Sequence, residues 1–285
     1  MSHGPVDASY PPGTGPFTDG PSPLTALFAA LACPDDQSPV VVDSTQQVHC
    51  PQCGRVFPRI EGIFSMLPIH AEWDAAEAAD TAAERSQRDE EAQRYDSLFG
   101  LRLLSPFEIP ATLRPLRIDT SHRVLEVGCG TGRFTVPVAE RCGELLAVDH
   151  SLESLRVLCR KLSDSASSKV LLVQGDATCL PVRQGWATHA LSCQMLEHLP
   201  SAGMRARAVA ELGRCLRPGG RLALSGYWYV PALRWLLPRE GKHSGTLFFH
   251  RFTQSELQRL LETHFVVERI SRRLIYILLA HGRRR

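Results

Sequence analysis

The sequence predicts an α/β protein: a mostly parallel sheet covered by helices, preceded by a small N-terminal β-ribbon domain. Short apolar runs alternate with helical patterns through the second half of the chain. A glycine-rich turn follows the first of these runs, as at the ligand-binding edge of an open α/β sheet. Near the N-terminus, short β-type runs are separated by cysteine, proline and glycine, which is typical of a small ribbon.

Composition narrows the class of protein. The 285 residues are 44% hydrophobic and 22% charged, enough for one catalytic domain and a smaller unit. No apolar run reaches the roughly 18 to 20 residues of a membrane-spanning helix. The N-terminus has neither the basic start nor the apolar core of a secretory signal. We therefore expect no membrane span and a cytoplasmic location.

The net charge of +2 conceals two halves of opposite sign. Residues 1–110 contain 6 Lys and Arg against 16 Asp and Glu, whereas residues 111–285 contain 26 against 14. This asymmetry favours docking of one half on the other or an anionic substrate on the basic half, and charge alone does not distinguish them.

Four segments follow from changes in composition. Residues 1–23 are rich in proline and glycine and are predicted to be disordered. Residues 24–70, with runs such as Val40–Val42, form the predicted ribbon. Residues 71–118 are predicted to be a helical linker and the first helices of the catalytic domain, because Ala71–Ala92 lacks a broad apolar face. Residues 119–285 form the catalytic domain.

Five apolar runs in this last segment are predicted as parallel strands. An amphipathic helix at Thr253–His264 follows them, and then two closing strands at Phe265–Ile270 and Leu274–Leu279. The five runs are Val124–Val127, Leu145–Val148, Val170–Val173, His189–Ser192 and Arg221–Ser225.

The turn after the first strand predicts a nucleotide-like ligand. Gly128, Gly130 and Gly132 stand at alternate positions, where they let the backbone approach a ligand closely. The dinucleotide fingerprint needs a third glycine where Arg133 stands, so a ligand without a pyrophosphate fits better. Glu126 would repel phosphate and attract an ammonium or sulfonium group. S-adenosylmethionine carries both of these cationic groups.

Acidic residues at the ends of the next two strands agree with this ligand. Asp149, followed by His150, ends the second strand, where a carboxylate can accept hydrogen bonds from both ribose hydroxyls. Asp176 ends the third strand and can accept a hydrogen bond from the adenine amino group.

Five motifs in order resemble the class I S-adenosylmethionine-dependent methyltransferases, in particular the type 11-like group: Leu125–Gly132, Ala147–Asp149, Gly175–Pro181, Met195–Leu199 and Leu216–Leu222. The resemblance implies a Rossmann-like seven-stranded sheet, mostly parallel with an antiparallel terminal strand. It also implies that Gly128, Cys129, Gly130 and Gly132 contact the methionine moiety. Asp149 would then bind the ribose, Asp176 and Ala177 the adenine, and Gln194 would lie beside the cofactor.

Methyl transfer from a sulfonium requires alignment of the nucleophile and exclusion of water more than strong acid–base catalysis. For a hydroxyl or an acidic carbon, His198 is the candidate general base; the alternative is a histidine that packs and binds backbone. An aromatic stretch after the fifth strand is a candidate wall for an apolar or aromatic acceptor, or else lid core or an interface. Its members are Tyr227, Trp228, Tyr229, Trp235 and His250.

The N-terminal cysteines predict a structural zinc site or, alternatively, buried thiols. Cys50 and Cys53 form a C-x2-C knuckle, and Cys33 lies upstream with Asp36 where a second pair would have its other cysteine. Asp36 or His49 would supply a fourth ligand. This stretch resembles small zinc-ribbon-like methyltransferase activators, which exist alone or fused to catalytic domains. The resemblance implies that the ribbon packs on its own catalytic domain or on a partner.

The sequence is compatible with three functions. The leading hypothesis is methylation of a small-molecule acceptor. The alternative is a base methyltransferase acting on rRNA or tRNA, because the catalytic half is basic and ends in three arginines. The third is a non-catalytic partner protein that binds S-adenosylmethionine.

Overall fold

The structure is a computed structural model, and it describes residues 27–43, 47–69, 75–95, 99–243, 247–273 and 276–285. The segment predicted to be disordered, 1–23, lies outside the described residues. The predicted last strand began at residue 274, which also lies outside them.

The ribbon contributes five short strands, and two helices follow it. The strands are β1 (Val41–Val42), β2 (Val48–His49), β3 (Val56–Phe57), β4 (Arg59–Ile60) and β5 (Ile63–Ser65). The helices are α1 (Ala75–Tyr95) and α2 (Phe99–Leu113).

The catalytic segment alternates strands and helices as the sequence predicts. Its strands are β6 (Arg123–Val127), β7 (Glu144–Asp149), β8 (Val170–Gln174), β9 (Ala187–Cys193), β10 (Leu216–Tyr227), β11 (Glu240–His243), β12 (Leu247–His250), β13 (Phe265–Arg273) and β14 (Ile277–Arg284). Its helices are α3 (Thr135–Ala139), α4 (Leu152–Lys161), α5 (Asp164–Ser167), α6 (Ala202–Cys215) and α7 (Gln254–Glu262).

The main sheet has the predicted topology. Its strand order is β13-β14-β10-β9-β6-β7-β8-β5-β4. The pairs from β10 to β8 are parallel, and β14 runs antiparallel to both β10 and β13. The seven catalytic strands therefore form the expected Rossmann-like sheet with an antiparallel last strand.

The ribbon is joined to this sheet, which the sequence did not reveal. Strand β5 pairs in parallel with β8, so that Phe64 lies opposite Val173, and β4 continues the sheet as its edge. Phe64 is buried in the same core as Leu31 and Leu146. Because an unpaired β8 would expose a row of backbone donors and acceptors, the ribbon hairpin protects this edge.

Apolar side chains cover both faces of the sheet. One core contains residues of α6, α7 and the ribbon, and the other contains residues of α2, α3 and α4. Helix α4 begins at Ser151, whose hydroxyl accepts the N–H of Ser154. Helix α7 begins with a capping box between Thr253 and Glu256. These caps fix the helices that border the carboxyl edge of the sheet.

Among the described helices, none has the length and apolar content needed to cross a bilayer.

Candidate active site

A cavity partly open to solvent lies at the carboxyl ends of β6 to β9, with about 1100 Å³ of empty space when the open solvent at its mouth is included. We call its sheet side the floor, formed by residues 126–131, 133, 148–150, 175–177 and 193–195. Its cover is helix α1. Ten of the eleven residues predicted from sequence for the cofactor or for catalysis line this cavity: Glu126, Gly128, Cys129, Gly130, Asp149, His150, Asp176, Ala177, Gln194 and His198.

The remaining residue, Gly132, is required for packing. Its φ is +92°, and a Cβ atom there would lie 2.3 Å from Leu158 Cδ1 of α4. Gly132 therefore packs against α4 and does not line the cavity. Its contact with the methionine moiety stays a prediction.

The first glycine of the turn is fixed by two constraints. Gly128 has φ +75°, and a Cβ atom there would lie 2.5 Å from Met195 Cβ. The N–H groups of Gly128 and Cys129 both donate to the carbonyl oxygen of Val148, at 2.8 and 3.2 Å. This turn is thus tied to the end of β7, and any side chain at Gly128 would displace Met195.

Asp149 is held ionised on the floor. Its Oδ2 accepts the N–H of Gly130 at 2.7 Å, and its Oδ1 accepts the N–H of Ser151 at 2.9 Å. Burial raises the pKa of Asp149, but the hydrogen bond and charge of His150 outweigh it, so that the pKa lies below its usual value. Burial lowers the pKa of His150, yet Asp149 raises it above the ordinary value overall. The two residues face each other in the cavity wall, with Asp149 Oδ1 3.6 Å from His150 Nδ1.

Glu126 has the opposite protonation state. It is buried, and its Oε2 has no hydrogen-bond partner among the described residues. Burial raises the pKa of Glu126 to about 8, and the charge of Asp149 raises it further. Glu126 is therefore mainly protonated at pH 7, and an approaching cation would favour its ionised form.

Asp176 and Gln194, the remaining acidic and amide residues predicted for the cofactor, both accept hydrogen bonds from within the protein. Asp176 Oδ1 accepts the N–H and hydroxyl of Thr178, at 2.7 and 2.5 Å. Gln194 has φ +55°, and its Oε1 accepts Arg133 Nη2 at 2.6 Å. Arg133 also pairs with the buried Glu108 at 2.6 Å. Arg133, which stands where the dinucleotide fingerprint needs a glycine, thus orients Gln194. The sequence did not predict this role.

His198 lies in a single 3-10 turn (Leu196–His198) beside the cavity. Its Nδ1 lies 2.8 Å from the carbonyl oxygen of Phe248 in β12. Because a carbonyl only accepts, Nδ1 carries the proton and Nε2 carries the lone pair. The ring of Tyr227 meets His198 edge-on, with 5.8 Å between centroids. A base at Nε2 requires this tautomer. The hydrogen bond to Phe248 is also the contact expected of the alternative, a histidine that packs and binds backbone.

Helix α1 covers the cavity and was missed as part of the site. The sequence indicated a solvated helix or linker, because its inward positions are mostly polar: Thr81, Glu84, Arg88, Glu91 and Ala92 line the cavity. The spacing of Glu84, Arg88 and Ala92 by four residues places them on one helix face, a signal that a search for apolar periodicity does not register.

Polar contacts hold α1 at two helix N-termini. Asp89 Oδ1 accepts the Ser151 hydroxyl at 2.6 Å and the Glu153 N–H at 3.1 Å, at the start of α4. Near the start of α6, Glu77 accepts the Ser201 hydroxyl and pairs with Arg207. The contacts of Asp89 and Glu77 join the cover to the elements that follow β7 and β9.

The aromatic stretch does not form the cavity wall. None of Tyr227, Trp228, Tyr229, Trp235 and His250 lines the cavity. His250 is buried between two carboxylates, with Nδ1 2.6 Å from Glu240 and Nε2 2.8 Å from Glu256. Trp235 projects into solvent. For this stretch, the buried His250 matches the alternative interpretation, lid core or an interface, better than an acceptor wall.

The predicted metal ligands converge in the ribbon. The ligand atoms of Cys33, Asp36, Cys50 and Cys53 all lie within 4.8 Å of one another, and His49 is not part of the group. Cys33 and Cys53 sulfurs are 3.7 Å apart, close to the ~3.8 Å edge of a tetrahedron with zinc–sulfur bonds of about 2.3 Å. Three thiols and one carboxylate suit Zn²⁺. Asp36, rather than His49, completes the donor set.

Comparisons with known proteins agree with this geometry. Residues 124–220 match the family model described as a methyltransferase domain. A demethylmenaquinone methyltransferase of Lactiplantibacillus plantarum is 25% identical over 164 residues, which cover 54% of this chain and 68% of that protein. A ubiquinone biosynthesis O-methyltransferase of Xanthomonas oryzae pv. oryzae is 33% identical over 129 residues, covering 42% of this chain and 52% of that protein. A biotin biosynthesis bifunctional protein of Cellvibrio japonicus is 27% identical over 186 residues, which cover 65% of this chain but only 34% of that longer protein.

Solved structures share the fold. The Burkholderia thailandensis 1,6-didemethyltoxoflavin-N1-methyltransferase, with bound 1,6-didemethyltoxoflavin and S-adenosylhomocysteine, matches with a TM-score of 0.58 and 20% identity over 83% of this chain and 98% of that one. A chain from a Haloferax volcanii complex that contains the Trm112 methyltransferase activator also has a TM-score of 0.58, with 16% identity over 70% of this chain and 97% of that one.

The sheet order, the glycine turn and the family match lead to one conclusion: residues 124–220 are the core of a class I S-adenosylmethionine-dependent methyltransferase.

Proposed function

We propose that this methyltransferase acts on a small, apolar or aromatic metabolite, with His198 as the base that accepts a proton from the acceptor. The observation that carries this proposal is the position of His198, which lines the cavity beside Gln194 and Met195 with its Nδ1–H committed to Phe248. The relatives whose names mention quinones support an acceptor of this kind.

The floor fits S-adenosylmethionine. Asp149 would accept hydrogen bonds from the ribose hydroxyls, and the ionised carboxylate fixed by Gly130 and Ser151 is suited to that role. Asp176 and Ala177 would hold the adenine, with His150 as a further contact. Gly128, Cys129, Gly130 and Gln194 would hold the methionine moiety, and Glu126, whose Oε2 has no hydrogen-bond partner among the described residues, would attract its cationic groups. When bound, S-adenosylmethionine supplies an electrophilic methyl group.

The protein's part in the reaction is alignment, exclusion of water and removal of one proton. Helix α1 and Leu199 close the cavity around the acceptor. For a hydroxyl acceptor, His198 Nε2 would take the proton as the oxygen gains the methyl group and the methyl–sulfur bond breaks, with its electron pair left on the neutral thioether. The bond from Nδ1 to Phe248 keeps the ring in the tautomer that allows this transfer.

The test is turnover on a panel of hydroquinones, phenols and aromatic amines, with tRNA and rRNA included. We expect His198→Gln to lower kcat by roughly 100-fold or more, with KM little changed, and to remove the acid limb of the pH profile. His281→Gln is the matched control, because His281 also binds a backbone carbonyl, that of Thr112. Equal losses in both variants would contradict the base role.

The same panel separates the alternatives. Turnover on RNA alone would favour the nucleic-acid methyltransferase. Cofactor binding without turnover on any acceptor would favour the non-catalytic partner protein.

For the ribbon, we propose a structural Zn²⁺ held by Cys33, Asp36, Cys50 and Cys53. The four-donor cluster supports this, and metal content measures it. Protein purified without chelator is expected to contain one zinc per chain, and Cys50→Ser is expected to lose it. Cys159→Ser, which changes an exposed thiol elsewhere, serves as the control. Less than a tenth of an equivalent of zinc in the unsubstituted protein would contradict a structural zinc site.

A further inference from the structure

The two large hydrophobic residues with the highest exposed fractions in the described structure are adjacent. Trp235 is 88% exposed and Leu236 is 77% exposed. The other exposed large hydrophobic residues, such as Phe107 and Val266, occur singly along the chain. Isolated exposed apolar residues are ordinary, whereas a contiguous patch indicates a binding surface.

These two residues belong to a compact turn, residues 230–238, which we call the apolar turn. It reads Val-Pro-Ala-Leu-Arg-Trp-Leu-Leu-Pro, and its one charged residue is Arg234. A 3-10 turn (Pro231–Leu233) opens it. The N–H groups of Leu233, Arg234, Leu236 and Leu237 all donate to carbonyl oxygens within the turn.

Internal hydrogen bonding matters for what this surface can enter. Backbone groups that lack partners are costly outside water, so only a segment that satisfies them locally can enter an apolar environment. The apolar turn meets this condition for four of its N–H groups, those of Leu233, Arg234, Leu236 and Leu237, which flank Trp235 where the side chains are most exposed.

Basic residues surround the apolar turn. Residues 228–251 contain four Lys and Arg and a single acidic residue, Glu240. The guanidinium of Arg234 lies 5.1 Å from the centre of the Trp235 ring. Arg239 and Lys242, just after the turn, are about half exposed and form surface ion pairs with Glu256 at 2.8 Å and Asp80 at 3.9 Å, respectively. Exposed tryptophan and leucine bordered by arginine and lysine are the pattern of a segment that lies in the headgroup region of an anionic bilayer.

We infer that the apolar turn is a docking site for an anionic lipid surface, in which Trp235 and Leu236 insert among the headgroups and the bordering cations contact phosphate. The turn leads directly into β11, which pairs with β12, and Phe248 of β12 holds His198 at the cavity. Docking would therefore place the β11–β12 pair, which holds His198 at the cavity, next to the membrane. This inference does not depend on the identity of the acceptor, and binding to vesicles tests it without turnover.

The experiment measures sedimentation of the full chain with phosphatidylcholine vesicles, with and without phosphatidylglycerol. We expect binding to the anionic vesicles that weakens with salt and falls at least roughly tenfold in Trp235→Ser/Leu236→Ser. Phe107→Ser is the control, since Phe107 is 68% exposed and is the only exposed large hydrophobic residue among the side chains of α2 that the structure describes. Arg234→Glu is expected to weaken binding to anionic vesicles and to leave weak binding to neutral ones unchanged.

Three results would overturn the inference. The first is no binding of the unsubstituted protein to anionic vesicles. The second is equal loss in the double variant and in Phe107→Ser. The third is a concentration-dependent dimer that the double variant abolishes while vesicle binding persists, which would assign the apolar turn to a second copy of the chain.

Discussion

The floor and the cover of the cavity are built by different means. The floor is fixed by backbone: the N–H groups of Gly128 and Cys129 bind the carbonyl of Val148, and that of Gly130 binds Asp149. The cover is attached by side chains such as Asp89, whose partner Ser151 is 62 residues away in sequence. Since polar side-chain contacts near solvent contribute less than a buried parallel sheet, the cover is expected to open while the floor stays folded.

The largest effect should come from the floor. In Gly128→Ala, the new Cβ atom would strain a residue at φ +75° and displace Met195. We expect the Kd for S-adenosylmethionine to rise roughly 100-fold, equivalent to about 2.7 kcal/mol, measured by calorimetry.

Gly219→Ala is its matched control. Gly219 has φ +72° but no atom within 4 Å of its would-be Cβ, and it lies away from the cavity. Both variants should lose about 1–2 kcal/mol of unfolding free energy from backbone strain, and only Gly128→Ala should lose affinity. Equal affinity in the two variants would mean that the turn does not form the cofactor site.

A smaller effect is expected from the cover. Asp89→Ala removes the acceptor for the Ser151 hydroxyl and the Glu153 N–H. The Kd for S-adenosylhomocysteine should rise about tenfold, because closure over the ligand becomes less favourable. Hydrogen exchange should accelerate in α1 and stay unchanged in β6 to β9.

Glu90→Ala, which changes the neighbouring exposed carboxylate, should alter neither affinity nor exchange. Faster exchange in the sheet of Asp89→Ala would show that cover and floor unfold together, contrary to the comparison drawn above.

The smallest expected effect is a change of affinity with pH, caused by loss of a proton from Glu126 when a cationic ligand binds. Glu126, with a pKa raised to about 8 by burial, is protonated at pH 7, and a cationic ligand would ionise it. Because the bound state then holds fewer protons than the free state, affinity should increase as the pH rises toward 8. The expected change is several-fold, below the limit of about tenfold per pH unit for full coupling.

Calorimetry in buffers of different ionisation enthalpy measures that proton directly. Release of part of a proton at pH 7 is expected from the unsubstituted protein and none from Glu126→Gln. Proton uptake on binding, or release that persists in Glu126→Gln, would contradict the assignment.

The difference between floor and cover also explains what could be predicted from the sequence. The strands and the residues at their ends, such as Asp149 and Asp176, follow from local patterns, because a parallel sheet brings its carboxyl ends to one edge. The role of α1 could not be predicted, since Glu84 and Arg88 face inward at a polar cavity and give no apolar periodicity. Arg133 was noticed only as an obstacle to a dinucleotide, because its partners Glu108 and Gln194 are distant in sequence.

The ribbon illustrates the same limit. Cysteine spacing indicated the metal cluster and left the fourth ligand open between Asp36 and His49; only the fold places Asp36 beside Cys50. The pairing of β5 with β8 was invisible, because three residues carry no signal of the strand they will join. Exposure of Trp235 was likewise undetectable, since an apolar run reads the same in a core and on a surface.

A crystal structure with S-adenosylhomocysteine tests the central claim most directly. We expect the ribose hydroxyls to donate to Asp149 and the adenine to lie beside Asp176. The thioether sulfur should lie near Gln194 and His198, with α1 closed over the ligand. A ligand bound outside this cavity, or a cavity without ligand at saturating concentration, would contradict it.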